Sequence, residues 1–480
     1  MKLKTLLNCD SELEINYLSE DSNDIKPQTL FFALKGAHFD AHQLIDEAIS
    51  KGAVAIIHTE AIENKQAGIY YQQVEDINQE MALISAKFFG NPSHDIKLLA
   101  ITGTNGKTTI AWLLKEALNK VSSCGYIGTI AVEYGTKVFH NHYTTPKSIE
   151  LNYYFKEMVE AGIEYCALEV SSHALTLKRS YGLSFRYAIM TNLTFEHINF
   201  HGSMAKYQAA KRILFENLSE TNIAILNKDD GTYEDFASHT KAKVISYGIE
   251  NKADVMAKDI ILKKDGTVFT LKMFDRETVV ETNLVALFNV YNLLPVIIVL
   301  HCEGYELNTI VSLVRKLSFP TGRVQTFAYG QNFNVIVDYA HTPDGFTKIF
   351  EYAQTITKNK IIAVFGSAGG DRDREKRPIL GQIADQYCDQ IILTLEDPRH
   401  EKVSDINKMI KAGITTAKVF EIEDRTAAIS CALTNAQPGD TVLILAKADD
   451  DYNAIGNEHI FYEGDINIVK RLLNKIETGS

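Results

Sequence analysis

Short apolar runs of strand length alternate along this chain with segments whose apolar residues recur three and four positions apart, the spacing of one helix face. Residues 98–101 form one such run. From Ile110 the apolar positions Ile110, Leu113, Leu114, Ala117 and Leu118 predict a helix. Between them stands Gly103-Thr104-Asn105-Gly106-Lys107-Thr108-Thr109, so the stretch reads as strand, glycine loop, helix. Upstream, residues 29–34 and Ala53–His58 predict strands around a helical pattern over 41–51 that stops at Gly52, a small α/β unit. Downstream of about residue 321, strands are expected at 335–337, Ile361–Phe365, 391–395, 417–422 and 442–445. Helices are expected between them, including 404–412 with Ser404 as N-cap and Arg425–Asn435. That alternation predicts a mainly parallel sheet with helices on both faces, whose ligands sit at the carboxyl ends of the strands.

The glycine loop is the first candidate for chemistry. Glycines let backbone N–H groups turn towards a phosphate, and the helix that follows adds its positive end. Lys107 would neutralise outer phosphates, and the Thr108 hydroxyl would ligate magnesium. The full phosphate-loop pattern also wants a glycine at the position of Ile101, whereas Gly103 comes two residues later. Taken alone, the loop also fits a plain glycine turn.

Five later features can converge on this loop. They are the hydroxyl loop Tyr143-Thr144-Thr145-Pro146; an apolar strand ending in Glu169-Val170-Ser171-Ser172-His173; Thr191-Asn192-Leu193, with Glu196-His197 and His201-Gly202 after it; Lys211 in a helical Tyr207-Gln208-Ala209-Ala210-Lys211-Arg212; and Asn289 and Asn292 on one helix face. A carboxylate at a strand end suits magnesium. Lys211 taken alone is expected at the surface, as helical lysines are. Asn289 and Asn292 suit a nucleotide or a helix cap. In the last third, three polar clusters follow strands: Asp338 to His341, the glycine-rich and basic stretch 366–377, and Glu396-Asp397-Pro398-Arg399, whose arginine can grip a carboxylate.

Composition narrows the class. At 480 residues several domains are expected, with boundaries drawn at 1–95, 96–320 and 321–480; Asn91-Pro92-Ser93 marks the first. A net charge of −12 gives no general attraction to nucleic acid or anionic membranes, so a phosphorylated substrate needs local basic clusters. The six cysteines contain no C-x-x-C pair, which fits buried thiols in a reducing compartment. The apolar stretch after Met1 is cut short by Asn8 and Asp10, and the run near 293–300 is too short to span a bilayer. A cytoplasmic enzyme is expected, a monomer without nucleic acid or membrane insertion.

In their order, GTNGKTT, YTTP, EVSSHAL, TNL with EH and HG, YQAAKR, FNVYN, Gly322-Arg323, DYAHTP, GGDRDREKRP and EDPR resemble the Mur ligase family over the whole chain, most of all the type that adds the third residue of the peptidoglycan stem. The family's phosphate loop is the shorter GTNGKT form, so Ile101 is no defect. The resemblance implies three domains: an N-terminal one for the UDP end, a central P-loop ATPase, and a C-terminal Rossmann-like one for the amino acid. It implies an ATP-dependent ligase of cell-wall synthesis, and so of cell shape and division. ATP phosphorylates the D-glutamate carboxylate of UDP-N-acetylmuramoyl-L-alanyl-D-glutamate, and a free amino acid attacks the acyl phosphate. By residue match, Lys107, Glu169, His197 and Lys211 are catalytic. Thr108 and Glu169 ligate one Mg2+, and His197 and a carbamylated Lys211 ligate another. Gly103, Thr104, Asn105, Gly106, Lys107, Thr108, Thr109, Asn289, Asn292, Arg323 and Asp338 fall at ATP. Ser22 with Ala37, His38 and Phe39 falls at the UDP end, and Thr144, Thr145, Ser171 and Arg179 fall at the muramoyl-dipeptide.

The acceptor is left open by the residues. Arg399 and Arg372 match carboxylate contacts for meso-diaminopimelate, with Glu396 and Pro398 in the same motif. The family's diaminopimelate motif Asp-Asn-Pro-Arg, however, reads Glu396-Asp397-Pro398-Arg399 here, and Asp397 suits the ammonium of L-lysine. The family's Gly-Lys-Gly-His-Glu reads Ala446-Lys447-Ala448-Asp449-Asp450, with Asp450 in place of the glutamate. The usual Asp-Ser-Arg reads Asp21-Ser22-Asn23. These changes leave room for a paralogue with another acceptor or acyl substrate. The competing classes are a related amide ligase of the folylpolyglutamate or cyanophycin type and a non-catalytic nucleotide-binding protein. The N-terminal domain and EVSSHAL argue against the folate type and the length against full cyanophycin synthetase, while five intact site residues argue against the non-catalytic protein.

Overall fold

The structure, a computed structural model, describes residues 1–36, 39–141, 143–370 and 374–477. Near the N-terminus, four parallel strands lie in chain order: Tyr17–Ser19, Thr29–Ala33, Ala53–His58 and Tyr70–Gln73. Every residue of Thr29–Ala33 is buried, as expected of a strand covered on both faces.

The middle of the chain builds an eleven-stranded sheet. Its parallel centre places Lys97–Thr102 between Tyr165–Glu169 and Phe185–Met190. Ile101 pairs with Glu169 on one side, and Thr102 with Met190 on the other. The phosphate loop therefore leaves the sheet between Glu169 and Thr191, at the carboxyl ends where α/β folds gather ligands. Antiparallel strands Val255–Lys263, Gly266–Met273 and Arg276–Thr282 extend one edge. The helix Lys107–Leu118 buries Ile110, Leu113, Leu114, Ala117 and Leu118 in one cluster with Leu99, Ile101 and the helix Leu287–Cys302. The apolar run near 293–300 is thus the core of that second helix, and no helix among the described residues is long and apolar enough to cross a membrane.

The last part forms a six-stranded sheet, parallel except for Gln325–Thr326, with Asn334–Asp338, Thr441–Leu445 and Ile361–Phe365 at its centre. A separate hairpin pairs Tyr452–Ile455 with Glu458–Phe461. The mixed α/β architecture with parallel central and C-terminal sheets is the one the sequence pattern predicts. One local expectation fails. The helix expected from Ser404 runs Val403–Lys411 with Lys402 as N-cap, so Ser404 lies inside the first turn. Val403 joins Ile406 and Ile410 on the buried face, and with it inside the helix the N-cap lies at Lys402, two residues before Ser404. A fully buried ion pair also shapes the site: Arg425 Nη2 donates to Asp465 Oδ2 and to Leu445 O, both at 2.7 Å, and Asp465 Oδ2 accepts from Ala448 N at 3.1 Å. It anchors the loop that leaves Thr441–Leu445. Cys124, Cys166 and Cys388 are buried, and all six cysteines are free.

Candidate active site

Both loop glycines are forced by their surroundings. Gly103 has φ of 142°, and a Cβ there would lie 1.8 Å from Thr191 Oγ1; Gly106 has φ of 90°, and a Cβ would lie 2.6 Å from Asn292 Oδ1. The loop is pinned from the neighbouring strand end. Thr104 N donates to Asn192 O at 2.8 Å, Asn105 N donates to Asn192 Oδ1 at 3.0 Å, and Thr191 Oγ1 donates to Asn105 O at 2.6 Å. Lys107 folds its Nζ back onto the Gly103 and Thr104 carbonyls, each at 2.9 Å. Burial, with Arg323 adding to it, lowers the pKa of Lys107, while Glu169 and Glu196 oppose that shift. Thr108 and Thr109 are buried in the first helical turn.

Glu169 is fully buried and held from several sides. Thr108 Oγ1 donates to its Oε2 at 2.9 Å, and Tyr126 OH and Thr129 N donate to its Oε1 at 2.7 and 2.9 Å. Lys211 departs most from the sequence reading taken alone. It is 1% exposed, not at the surface, because its helix turns it under the phosphate loop, where Nζ donates to Gly103 O at 2.9 Å. Burial, and then the charge of Lys107, push its pKa well below the usual lysine value, so the neutral amine is favoured. His197 shares the neighbour Tyr207 with this lysine. Its ring packs edge-on to His173 at 4.9 Å and to Tyr207 at 5.8 Å, and Lys211 Nζ lies 4.7 Å from the Tyr207 ring. Among the described residues, no three His, Cys, Asp or Glu side chains group closely enough to hold a metal by themselves.

The structure gathers Thr144, Thr145, Ser171 and Arg179 beside Glu169. Thr145 Oγ1 donates to Glu169 O at 2.8 Å and accepts from Ser171 N at 3.0 Å, Arg179 Nη1 donates to Thr145 O at 2.9 Å, and Thr129 Oγ1 donates to Thr144 Oγ1 at 3.1 Å. Ser22 is buried near the N-terminal sheet, two residues from Glu20, which pairs with Lys147 at 2.8 Å and so ties its loop to this cluster. Phe39 is 54% exposed. Ala37, His38 and Arg372 lie outside the described residues.

The C-terminal sheet closes the other side. Arg323 Nη2 donates to Thr108 Oγ1 at 3.4 Å, and Asn105 Nδ2 donates to Asp344 Oδ2 at 2.7 Å. Asp338 holds the Arg323 turn by accepting from Val324 N at 2.7 Å; burial raises its pKa. Asn289 Nδ2 donates to Val285 O at 2.8 Å, at the start of its helix, and Asn292 Nδ2 donates to Asn289 Oδ1 at 2.9 Å. A cavity of about 490 Å³ opens beside Asn105, Gly106 and Asn292, between Tyr291 of the central helix and Lys348 and Tyr352 of the helix Pro343–Ile356.

Glu396, Asp397, Pro398, Arg399, Ala446 and Asp450 meet at the strand ends of this sheet. Ala446 (φ 88°) and Ala448 (φ 49°) lie in the left-handed region that glycine would favour. Burial pushes the Asp450 carboxyl up to about 7; Lys447, 3.7 Å away, pulls it down, and Asp397, Asp449 and Glu396 push it further up. A carboxyl raised in the folded state costs stability as it ionises. The cost sets in above the usual aspartate range and is complete above about 7. Asp450→Asn is therefore expected to be more resistant than the parent to urea at pH 8 and equal to it at pH 4; a constant difference across that range would refute the assignment.

Sequence reasoning missed several residues the fold recruits: Tyr126 and Thr129 on Glu169, Tyr207 beside Lys211, Asp344 on Asn105, and Lys376, which pairs with Glu196 at 3.5 Å across the two sheets with both side chains 6% exposed. Tyr207 and Lys376 lie inside motifs quoted above without a role of their own and Asp344 adjoins one, whereas Tyr126 and Thr129 carry no local signal.

Comparison with known proteins agrees with the overall architecture. Residues 14–89 match the sequence model of the Mur ligase family, catalytic domain, residues 101–300 that of the Mur ligase middle domain, and residues 322–448 that of the Mur ligase, glutamate ligase domain. UDP-N-acetylmuramoyl-L-alanyl-D-glutamate--2,6-diaminopimelate ligase 1 of Clostridium acetobutylicum is 38% identical over 474 residues, covering 96% of this chain and 97% of the relative. The enzyme named UDP-N-acetylmuramoyl-L-alanyl-D-glutamate--2,6-diaminopimelate ligase in Geobacillus thermodenitrificans is 37% identical, with 96% and 97% covered. A solved structure of a ligase of the same name superposes with TM-score 0.68 at 27% identity over 98% of both chains. The MurF ligase of Thermotoga maritima in complex with ADP superposes with TM-score 0.65 at 20% identity over 98% of this chain and 99% of the other, a likeness of fold.

Proposed function

The chain belongs to the Mur ligase family, an ATP-dependent amide ligase by that membership, and from this premise we propose that it adds meso-diaminopimelate to UDP-N-acetylmuramoyl-L-alanyl-D-glutamate in peptidoglycan synthesis. The observation that carries the reading is the meeting at one phosphate loop of a buried acid on Thr108, a buried lysine that favours its neutral form, and an arginine reaching in from the C-terminal sheet. The relatives named for this reaction supply the substrate class.

In this reading, ATP lays its phosphates along residues 103–109, with Lys107 released from the loop carbonyls to the outer phosphates. The cavity beside Asn292 and Tyr291 takes the base, and Arg323 and Asp338 approach the nucleotide from the C-terminal side. The dipeptide carboxylate takes the transferred phosphoryl group near Thr144, Thr145, Ser171 and Arg179, while Ser22 and its loop serve the UDP end. The acceptor amine then attacks the acyl phosphate; the tetrahedral intermediate collapses with release of phosphate, and the amine proton leaves to solvent or a nearby base.

The side chains fit magnesium as a partner of phosphate oxygens better than as the contents of a protein cage, since magnesium takes few carboxylates and keeps water. Thr108 and Glu169 would hold one ion, and His197 with a carbamylated Lys211 the other. When bound, the ions would neutralise charge on the transferring phosphoryl group. A neutral buried amine is the form that attacks CO2, losing a proton to give the carbamate, and burial favours that form at Lys211. Use of ATP goes with a cytoplasmic enzyme.

The test is phosphate release in the presence of ATP, magnesium and the UDP-muramoyl-dipeptide, with meso-diaminopimelate, L-lysine and L-ornithine in parallel. Turnover that needs both the dipeptide and diaminopimelate is expected. Nucleotide binding without turnover on any acceptor would overturn the reading.

A further inference from the structure

The acceptor loop carries a departure from the family motif, and the structure gives it an occupation other than binding substrate. Asp397 (φ 37°) and Arg399 (φ 51°) both lie in the left-handed region, which side chains other than glycine rarely adopt, so the loop must be held from outside. The holding groups come from two later segments. Asp397 Oδ1 accepts from Lys447 Nζ and from Ala454 N, both at 2.9 Å. Lys447 is 1% exposed, so its charge is committed to the acids around it. The hairpin that supplies Ala454 also takes both backbone groups of Arg399: Arg399 N donates to Ala454 O at 2.9 Å, and Gly456 N donates to Arg399 O at 2.8 Å. Among the described residues, the Arg399 guanidinium has no hydrogen-bond or ion-pair partner of its own.

We propose that Asp397 is a positioning residue and not a substrate ligand: with Lys447 and the hairpin Tyr452–Phe461 it clamps the Glu396–Arg399 loop so that Arg399 faces the acceptor, which selects an amino acid carrying a second carboxylate. The proposal rests on the ligase reading above and adds to it the support that holds Arg399. A lysine ammonium directed at Asp397 would approach a carboxylate whose Oδ1 already holds Lys447 Nζ at 2.9 Å, and would meet repulsion where it needs an anion. A distal carboxylate meets a guanidinium whose donors are open.

An asparagine at 397 retains an oxygen that accepts from Lys447 and Ala454 N, whereas alanine retains none. Three variants, Asp397→Ala, Asp397→Asn and Arg399→Ala, are compared in the full-length chain by amide hydrogen exchange and by kinetics. Asp397→Ala is expected to speed exchange at the Arg399 and Gly456 amides and to raise KM for diaminopimelate about 10- to 100-fold with kcat nearly kept, the cost of losing a charge-assisted hydrogen bond. Asp397→Asn is expected to restore both, and Arg399→Ala to raise KM without faster exchange in the hairpin. The clamp is overturned if Asp397→Ala leaves exchange at these amides unchanged. It is overturned equally if the parent uses L-lysine and Asp397→Asn loses that use. Exchange does not depend on turnover, so a parent inactive on every acceptor refutes the ligase reading while the clamp is still decided by the amides.

Discussion

Lys211→Met is expected to lower the rate of ligation about a thousand-fold or more and to leave the protein at least as stable as the parent at pH 7. The two effects have one source. Lys211 is buried under the phosphate loop, where among the described residues its hydrogen-bond acceptor is the Gly103 carbonyl, and its pKa is pushed well down by burial. A lysine whose folded pKa is depressed weakens the native state in full below that folded value, because the unfolded chain binds the proton more tightly; the penalty shrinks as pH rises and is gone above the ordinary lysine value. Methionine fills similar volume without the penalty. The same substitution removes the group that carbamylation would turn into an anionic ligand for the charge-neutralising ion, and losses of such transition-state stabilisation run to about 10²–10³ for one donor alone. Single-turnover phosphate release, together with urea denaturation at pH 7 and pH 10, checks both halves. Near-parental turnover would remove Lys211 from the chemistry. A stability loss at pH 7 would show that its bond to the loop outweighs its burial.

Lys107→Met is expected to be nearly as severe in turnover, about 10²- to 10³-fold, but to differ in binding. Lys107 spends its donors on Gly103 O and Thr104 O, with Glu169 and Glu196 as the nearby acids, and a phosphate at the helix start would compete for its charge. The parent is therefore expected to bind ATP more tightly than adenosine by a wide margin that shrinks in the variant, while Lys211→Met keeps that margin. Calorimetry with the two ligands separates the cases. An unchanged margin in Lys107→Met would assign phosphate recognition to the backbone N–H groups and the helix end alone. The Gly103 carbonyl is not abandoned in either variant, because each lysine also donates to it.

Much of the architecture was legible from local patterning. Residues 98–101 and the helical spacing from Ile110 predicted the strand and helix around the phosphate loop, because burial on both faces demands apolar runs in parallel strands and a one-sided stripe in helices. Alternating strands and helices predicted the C-terminal parallel sheet in the same way. The order of motifs, read through a family resemblance, supplied candidate site residues that no local pattern distinguishes: nothing within the helix Met204–Glu216 separates Lys211 from a solvated lysine.

The sequence by itself determined the element types, the class of sheet, the glycine loop and the family. Each rests on what a residue does to its near neighbours in the chain, whether through period, turn or helix start. Tertiary structure alone decided which charges are already spent. Asp397 offered two readings, as a partner for a substrate ammonium or as part of the scaffold. Only the approach of Lys447 and Ala454, fifty or more residues downstream, put two donors on its carboxylate. Lys211 likewise changed from a surface cation to a buried amine because its helix packs under a loop about a hundred residues earlier in the chain. Protonation and availability follow desolvation and long-range contacts, which a sequence fixes only through the fold it adopts.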